Sequence, residues 1–143
     1  MARFIVDTVL AGKSVQLKAK EMPNGELRRQ VQFEGIPAHI TFTEADQGGW
    51  QESHLHKGLT EVYTIVAGGA RFVVRSSGVV DLAQGMTITI KPGDSHNVAL
   101  ARGAVMSTLV FGEPVGNPDK KGNDWWPADE EFDRWMKEVI SAA

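Results

Sequence analysis

Residues 48–68 read GGWQESHLHKGLTEVYTIVAG. The chain has four histidines in 143 residues, and two of them, His54 and His56, stand here one residue apart. In a strand, residues i and i+2 face the same side, so both imidazoles point together and Leu55 points away. Lys57-Gly58 supplies a turn, and Leu59 starts a new β-prone run. Glu61 heads that run, with Tyr63 and Ile65 on its own face. If the two strands pair, Glu61 returns beside the histidines. Two imidazoles and a carboxylate then converge, a donor set suited to a transition metal. A pair of surface histidines fits the same pattern, and on these residues alone the two readings stand level.

A further candidate lies downstream. His96 follows the turn KPGDS at the start of another short strand. Three histidines and a glutamate would leave one or two positions open on a five- or six-coordinate metal. With no cysteine in the chain, thiolate ligands, disulfides and cysteine nucleophiles are excluded. Any metal here uses imidazole and carboxylate.

Around this stretch, glycine and proline punctuate the sequence at short intervals. Between them lie HITFT (39–43), EVYTIVA (61–67), ARFVVR (70–75), MTITI (86–90), NVALA (97–101) and VMSTLVFG (105–112). Short strands at this spacing predict an all-β sandwich or barrel. The end of the chain differs. Residues 113–127 read as an extended loop. In ADEEFDRWMKEVI, Phe132, Trp135, Met136, Val139 and Ile140 fall on one stripe of an amphipathic helix. Pro127 suits its first position, and Asp129, Glu130 and Glu131 suit the positive end of the helix dipole.

Length predicts one domain over 1–143, with a barrel core at about 30–112 and a C-terminal loop and helix at 113–143. Net charge is −3. Residues 112–143 carry four basic against eight acidic side chains, so an acidic tail follows a nearly neutral body. A nucleic-acid partner is not expected, because phosphate needs a basic face. No apolar run reaches transmembrane length, so no membrane partner is expected. The opening MARFIVDTVL is interrupted by Asp7 and does not make a signal peptide, so the expected location is cytoplasmic.

Residues 48–68 resemble the first cupin motif, G-x5-H-x-H-x(3,4)-E-x6-G. Gly48, His54, His56, Glu61 and Gly68 stand at its fixed positions. GMTITIKPGDSHNVAL (85–100) resembles the second motif, G-x5-P-x-G-x2-H-x3-N, less completely. Gly85, Gly93 and His96 fall in place. Lys91 stands where the first proline belongs, with Pro92 one residue on, and Leu100 replaces the final Asn. The resemblance implies an all-β double-stranded β-helix, the jelly-roll cupin barrel, with a C-terminal α-helix. It also implies a metal held inside by His54, His56, Glu61 and His96.

The implied cofactor is one divalent transition metal per chain. Mixed nitrogen and oxygen ligands favour Fe(II) or Mn(II), with Zn(II) or Ni(II) open. The implied function is a small-molecule metalloenzyme of dioxygenase type or of isomerase or decarboxylase type. The alternative is a non-catalytic sensor or carrier of a metal and a small ligand. A metal-independent epimerase-type cupin would not need the full ligand set. Tyr63, Glu52 and His39 are the candidate catalytic residues. Each also has a structural reading, as a core tyrosine, a solvated glutamate and a structural histidine. Arg28, Arg29, Arg71 and Arg75 are surface residues by default, though an arginine at the barrel mouth would suit an anionic substrate. The tail aromatics Trp125, Trp126, Phe132 and Trp135 offer apolar surface for a homodimer.

Overall fold

A computed structural model describes residues 15–33, 35 and 37–143. The opening MARFIVDTVL lies outside the described residues. The strands are β1 (Val15–Glu21), β2 (Leu27–Phe33), β3 (Ala38–Glu44), β4 (Gly49–Trp50), β5 (His54–Leu55), β6 (Leu59–Ala67) and β7 (Gly69–Val74). They continue with β8 (Gly78–Ala83), β9 (Thr87–Ile90), β10 (His96–Leu100), β11 (Val105–Gly112) and β12 (Trp126–Pro127), a short 3-10 turn spans Pro118–Lys120, and the helix α1 (Glu130–Ala142) follows.

The strands form two antiparallel sheets. One runs β1-β2-β3-β11-β6-β9, the other β12-β5-β10-β7-β8, with β4 beside β10. They pack face to face as a jelly roll, with the core between them. Register fixes which side chains meet. Across the first sheet, Glu61 aligns with Val110 and then His39, Tyr63 with Thr108 and Thr41, and Ile65 with Met106 and Thr43. Across the second, His54 aligns with His96 and Val74, while Val98 aligns with Phe72 and then Val80. Paired residues share a face, so these rows line the interior. Phe72, Ile65, Leu100 and Met106 fill one end of it almost without exposure.

The expected strands all form. The sheet also begins earlier than the expected start near residue 30. β2, LRRQVQF, puts Arg28, Gln30 and Gln32 on the row shared with Thr43, Thr41 and His39. That row is polar, and buried Val31 lies on the opposite one, so the strand shows little hydrophobic alternation to a pattern reading. β8 was not expected either. Gly78 and Asp81 interrupt its apolar pattern, yet Leu82 is buried and Val80 packs on the core.

The helix forms with its start corrected. Pro127 is not its first residue but part of β12. Asp129 is the N-cap, its carboxylate accepting the Phe132 N–H at 2.8 Å. Phe132 is buried, and the rest of the stripe is half-buried against the barrel. Arg75 lies 4.8 Å over the Trp135 ring, and Ser53 Oγ lies 3.7 Å from Met136 Sδ.

Candidate metal centre

His54 comes from β5 and His96 from β10, directly opposite each other. His56 follows β5, and Glu61 sits inside β6. One ligand-type atom from each of the four lies within 4.8 Å of the others. His54, Glu61 and His96 are buried, and His56 is half-buried.

The outer nitrogens explain how the rings are aimed. His54 Nδ1 meets the Glu52 carbonyl at 2.8 Å, and His96 Nδ1 meets the Asp94 carbonyl at 2.9 Å. His56 Nδ1 meets the Asp124 carbonyl. A carbonyl can only accept, so each Nδ1 carries the hydrogen and each neutral ring presents a bare Nε2 lone pair. Three lone pairs and a carboxylate thus point into one small space. His56 Nε2 and Glu61 Oε1 approach to 2.9 Å, yet both are buried without a hydrogen bond. Buried polar atoms are normally satisfied, so a cluster of acceptors facing one another fits a cation between them. Committed Nδ1 atoms are also the usual arrangement behind metal-ligating histidines.

The charges follow from this packing. Burial pushes His54 down to about 3, with the neighbouring His96 adding to the shift, so this ring stays neutral at ordinary pH. Burial disfavours the Glu61 carboxylate, but contacts with His56 and His96 outweigh it and hold the group below the usual carboxylate range. For His56, burial is outweighed by the nearby Glu61 carboxylate and the Asp124 carbonyl, and its affinity for a proton rises. Without a cation, a proton on His56 is the best available partner for Glu61.

The turns that place these residues have local causes. Gly93 has φ +83°, Pro92 precedes it, and Asp94 N–H donates to the Lys91 carbonyl at 3.3 Å. That is the signature of a type II turn, with proline and glycine where such a turn wants them. Lys91 in the motif proline's place therefore leaves the turn intact. Gly93 N–H donates to the His56 carbonyl at 2.7 Å, tying the His96 turn to the other ligand strand. Gly58 serves differently from the expected turn residue. A Cβ there would sit 1.8 Å from the Glu113 carbonyl oxygen. Its role is to let the tail backbone pass.

Of the catalytic candidates, Tyr63 is buried in the interior, with its hydroxyl 3.3 Å from His96 Nε2. Burial, reinforced by Glu61, raises the phenol well above its ordinary range, so it keeps its proton. His39 lies on the interior row two strands from Glu61, half-buried, and burial lowers its proton affinity despite the pull of Glu61. Glu52 has the exposed side chain of its solvated reading, and its backbone carbonyl meets His54 Nδ1. Arg71 pairs with Asp81 on the surface at 2.7 Å. Arg28 pairs with the buried Glu26 at 3.1 Å, and its Nε is buried without a partner.

The tail is where the sequence reading missed residues that touch the cluster. Trp125 stacks on His54, centroids 5.5 Å apart and planes 17° from parallel. β12 adds to the edge of β5, pairing Pro127 with His54. Asp124 is 5% exposed, and its carboxylate accepts N–H groups from Lys57, Gly58, Val115 and the Trp126 indole at 2.8 to 3.0 Å. Nothing in the spacing of NDWWP signals this, because two of the partners, Lys57 and Gly58, lie over sixty residues away. A cleft of about 520 Å³ lies between Asn97, Trp125 and Met136 on the outer side of β10, and no candidate ligand lines it.

No sequence-family model and no curated protein matches the chain. Solved structures do. A cupin 2 conserved barrel domain protein from Rhodopseudomonas palustris aligns with a TM-score of 0.64 at 17% identity, over 89% of this chain and 88% of that one. Oxalate decarboxylase from Bacillus subtilis aligns with a TM-score of 0.61 at 19% identity, over 88% of this chain and 34% of that one. Work on that decarboxylase describes Mn(II) centres. The nucleoside dehydratase Pac13 aligns with a TM-score of 0.60 at 15% identity, over 78% of this chain and 84% of that one. The fold of this chain is the cupin fold, and its His/His/Glu/His cluster lies inside that barrel.

Proposed function

We propose that this chain is a metal-dependent cupin enzyme acting on a small molecule inside the barrel, with His54, His56, Glu61 and His96 as ligands to one divalent transition metal. The observation that carries this reading is the convergence of three Nε2 lone pairs and one carboxylate within 4.8 Å, each ring oriented by a carbonyl behind it. Fe(II) or Mn(II) suits the donor set, and the Mn(II) centres of the decarboxylase neighbour support the second. When bound, such an ion supplies Lewis-acid polarisation of a substrate oxygen or a binding position for dioxygen. The chain's own residues supply the rest. Tyr63 holds a proton beside the cluster and can donate a hydrogen bond to a substrate oxygen. His39 is the neutral base on the same interior face. Trp125 covers His54 and limits water on that side.

The first test is elemental analysis of untagged protein, with close to one equivalent of Mn or Fe expected. Less than a tenth of an equivalent of any transition metal per chain, after an attempt at reloading, overturns the reading. Oxygen uptake and product formation are then followed with catechols, hydroxy acids and keto acids. Oxygen uptake assigns the dioxygenase type, and turnover without oxygen assigns the isomerase or decarboxylase type. No turnover of any member by loaded protein returns the chain to a binding role.

The expected homodimer also takes a new surface. Phe132 is buried in its own chain, Trp125 is on His54, and Trp126 lies under Lys57 at 3.5 Å. The outer face of the sheet that holds β6 and β11 exposes Val66, Leu109 and Phe111. A second copy would cover them, and gel filtration at 15.6 kDa rather than about twice that mass counts against pairing.

A further inference from the structure

Asp124 grips three consecutive residues. Its main-chain carbonyl accepts from His56 Nδ1. Its carboxylate accepts Lys57 N–H at 2.8 Å through Oδ1 and Gly58 N–H at 2.8 Å through Oδ2. The same two oxygens take the Trp126 indole at 3.0 Å and Val115 N–H at 3.0 Å. Every partner is a donor, and the side chain is almost wholly buried. Four donors and burial leave little rotational freedom, and they hold the carboxylate below its usual range although burial alone would raise it. The next residue, Trp125, lies flat on His54. Asn117 in turn donates to the Trp125 carbonyl at 2.9 Å and caps the turn that follows it.

The geometry points to Asp124 as a positioning residue of the metal centre, through which the C-terminal segment sets the ring angle of His56. The proposal rests on the metal reading above. The argument is one of closure. The carboxylate pins the turn after His56 to the tail, and the carbonyl of the same residue then meets the His56 ring. Removing the carboxylate frees both ends of that loop, so His56 loses its fixed Nδ1 partner even though the carbonyl remains. Outer partners of ligating histidines typically govern about 10- to 100-fold in metal affinity.

The test uses the full chain stripped of metal and titrated with Co(II), whose visible absorption reports coordination directly. Asp124→Ala is expected to weaken Co(II) binding about 10- to 100-fold in competition with a chelator. It should also shift the visible bands of the saturated protein, which a purely structural role would not move. Asp124→Asn keeps the volume but sets an N–H donor against N–H donors. It should fall between, and it carries the test if the alanine variant does not fold. Asp81→Asn, at the surface pair with Arg71, is the control. Unchanged affinity and unchanged bands in a folded Asp124 variant overturn the positioning role alone. Failure of the unsubstituted protein to bind Co(II) overturns the metal reading, and this proposal with it.

Discussion

The two ends of the barrel interior are built from the same strands and obey opposite rules. Along β6 the inward residues run Glu61, Tyr63, Ile65, and along β10 they run His96, Val98, Leu100. Four residues carry each strand from a cluster of titratable groups to a dry core. At the apolar end, burial is favourable in itself, and Phe72, Ile65, Leu100 and Met106 are packed with nearly no exposure. At the polar end, burial is costly, and each ring is held there by a carbonyl behind it and by its neighbours. One end stabilises the fold, and the other is kept in place by that stability.

The sharpest way to break this comparison is at the ligands. His96→Ala is expected to lower metal affinity at least about 100-fold while the metal-free protein keeps its fold. Elemental analysis and circular dichroism check the two halves. Full metal retention would show that His96 is not a ligand. Phe72→Ala is the mirror experiment, expected to cost about 3–5 kcal/mol by urea unfolding. Metal affinity per folded molecule should stay within about threefold. A large loss there would mean that the two ends are not separable.

Gly58→Ala probes the seam between barrel and tail. The added methyl meets the Glu113 carbonyl, and a loss of about 2–3 kcal/mol is expected, with some metal affinity. An unchanged urea midpoint would show that the seam yields freely.

Acid should act on the polar end first. In the metal-free protein, the folded state keeps His54 unprotonated down to about 3, whereas the unfolded chain takes that proton near 6.5. Stability from this group is therefore present above 6.5 and is lost as pH falls between those values. The lowered Glu61 adds a loss in the same direction below 4.5. His56, raised, acts oppositely, losing its contribution as pH rises above 6.5. The expected fall on acidification is on the order of 1 kcal/mol per pH unit. Urea midpoints from pH 6.5 to 4.5 check it, and a flat profile would mean that the cluster is not desolvated as packed. The smallest effect is expected at Arg71→Ala, whose exposed pair with Asp81 should leave the melting temperature unchanged.

How much of this was legible in the sequence differs residue by residue. Glu61 and the two histidines were readable because strand parity is a local rule. MTITI was readable because one face is buried and the other wet. β2 was not, because the row it shares with Thr43, Thr41 and His39 carries Arg28, Gln30 and Gln32 and shows no apolar periodicity. Glu52 shares parity with His54, yet its side chain is exposed and its carbonyl alone meets the His54 ring.

The sequence by itself determined the strands from β3 through β11 that carry a clear apolar pattern and the helix stripe, since each follows from periodicity over about ten to twenty residues, and the resemblance to the two cupin motifs named the four candidate ligands. Only the tertiary structure decided which carbonyls aim the rings, that Gly58 makes way for the tail, and that Asp124 joins the tail to His56. Those are contacts between backbone groups or between residues far apart in the chain. A backbone carbonyl looks the same in every residue, so no sequence pattern marks the one that will meet an imidazole.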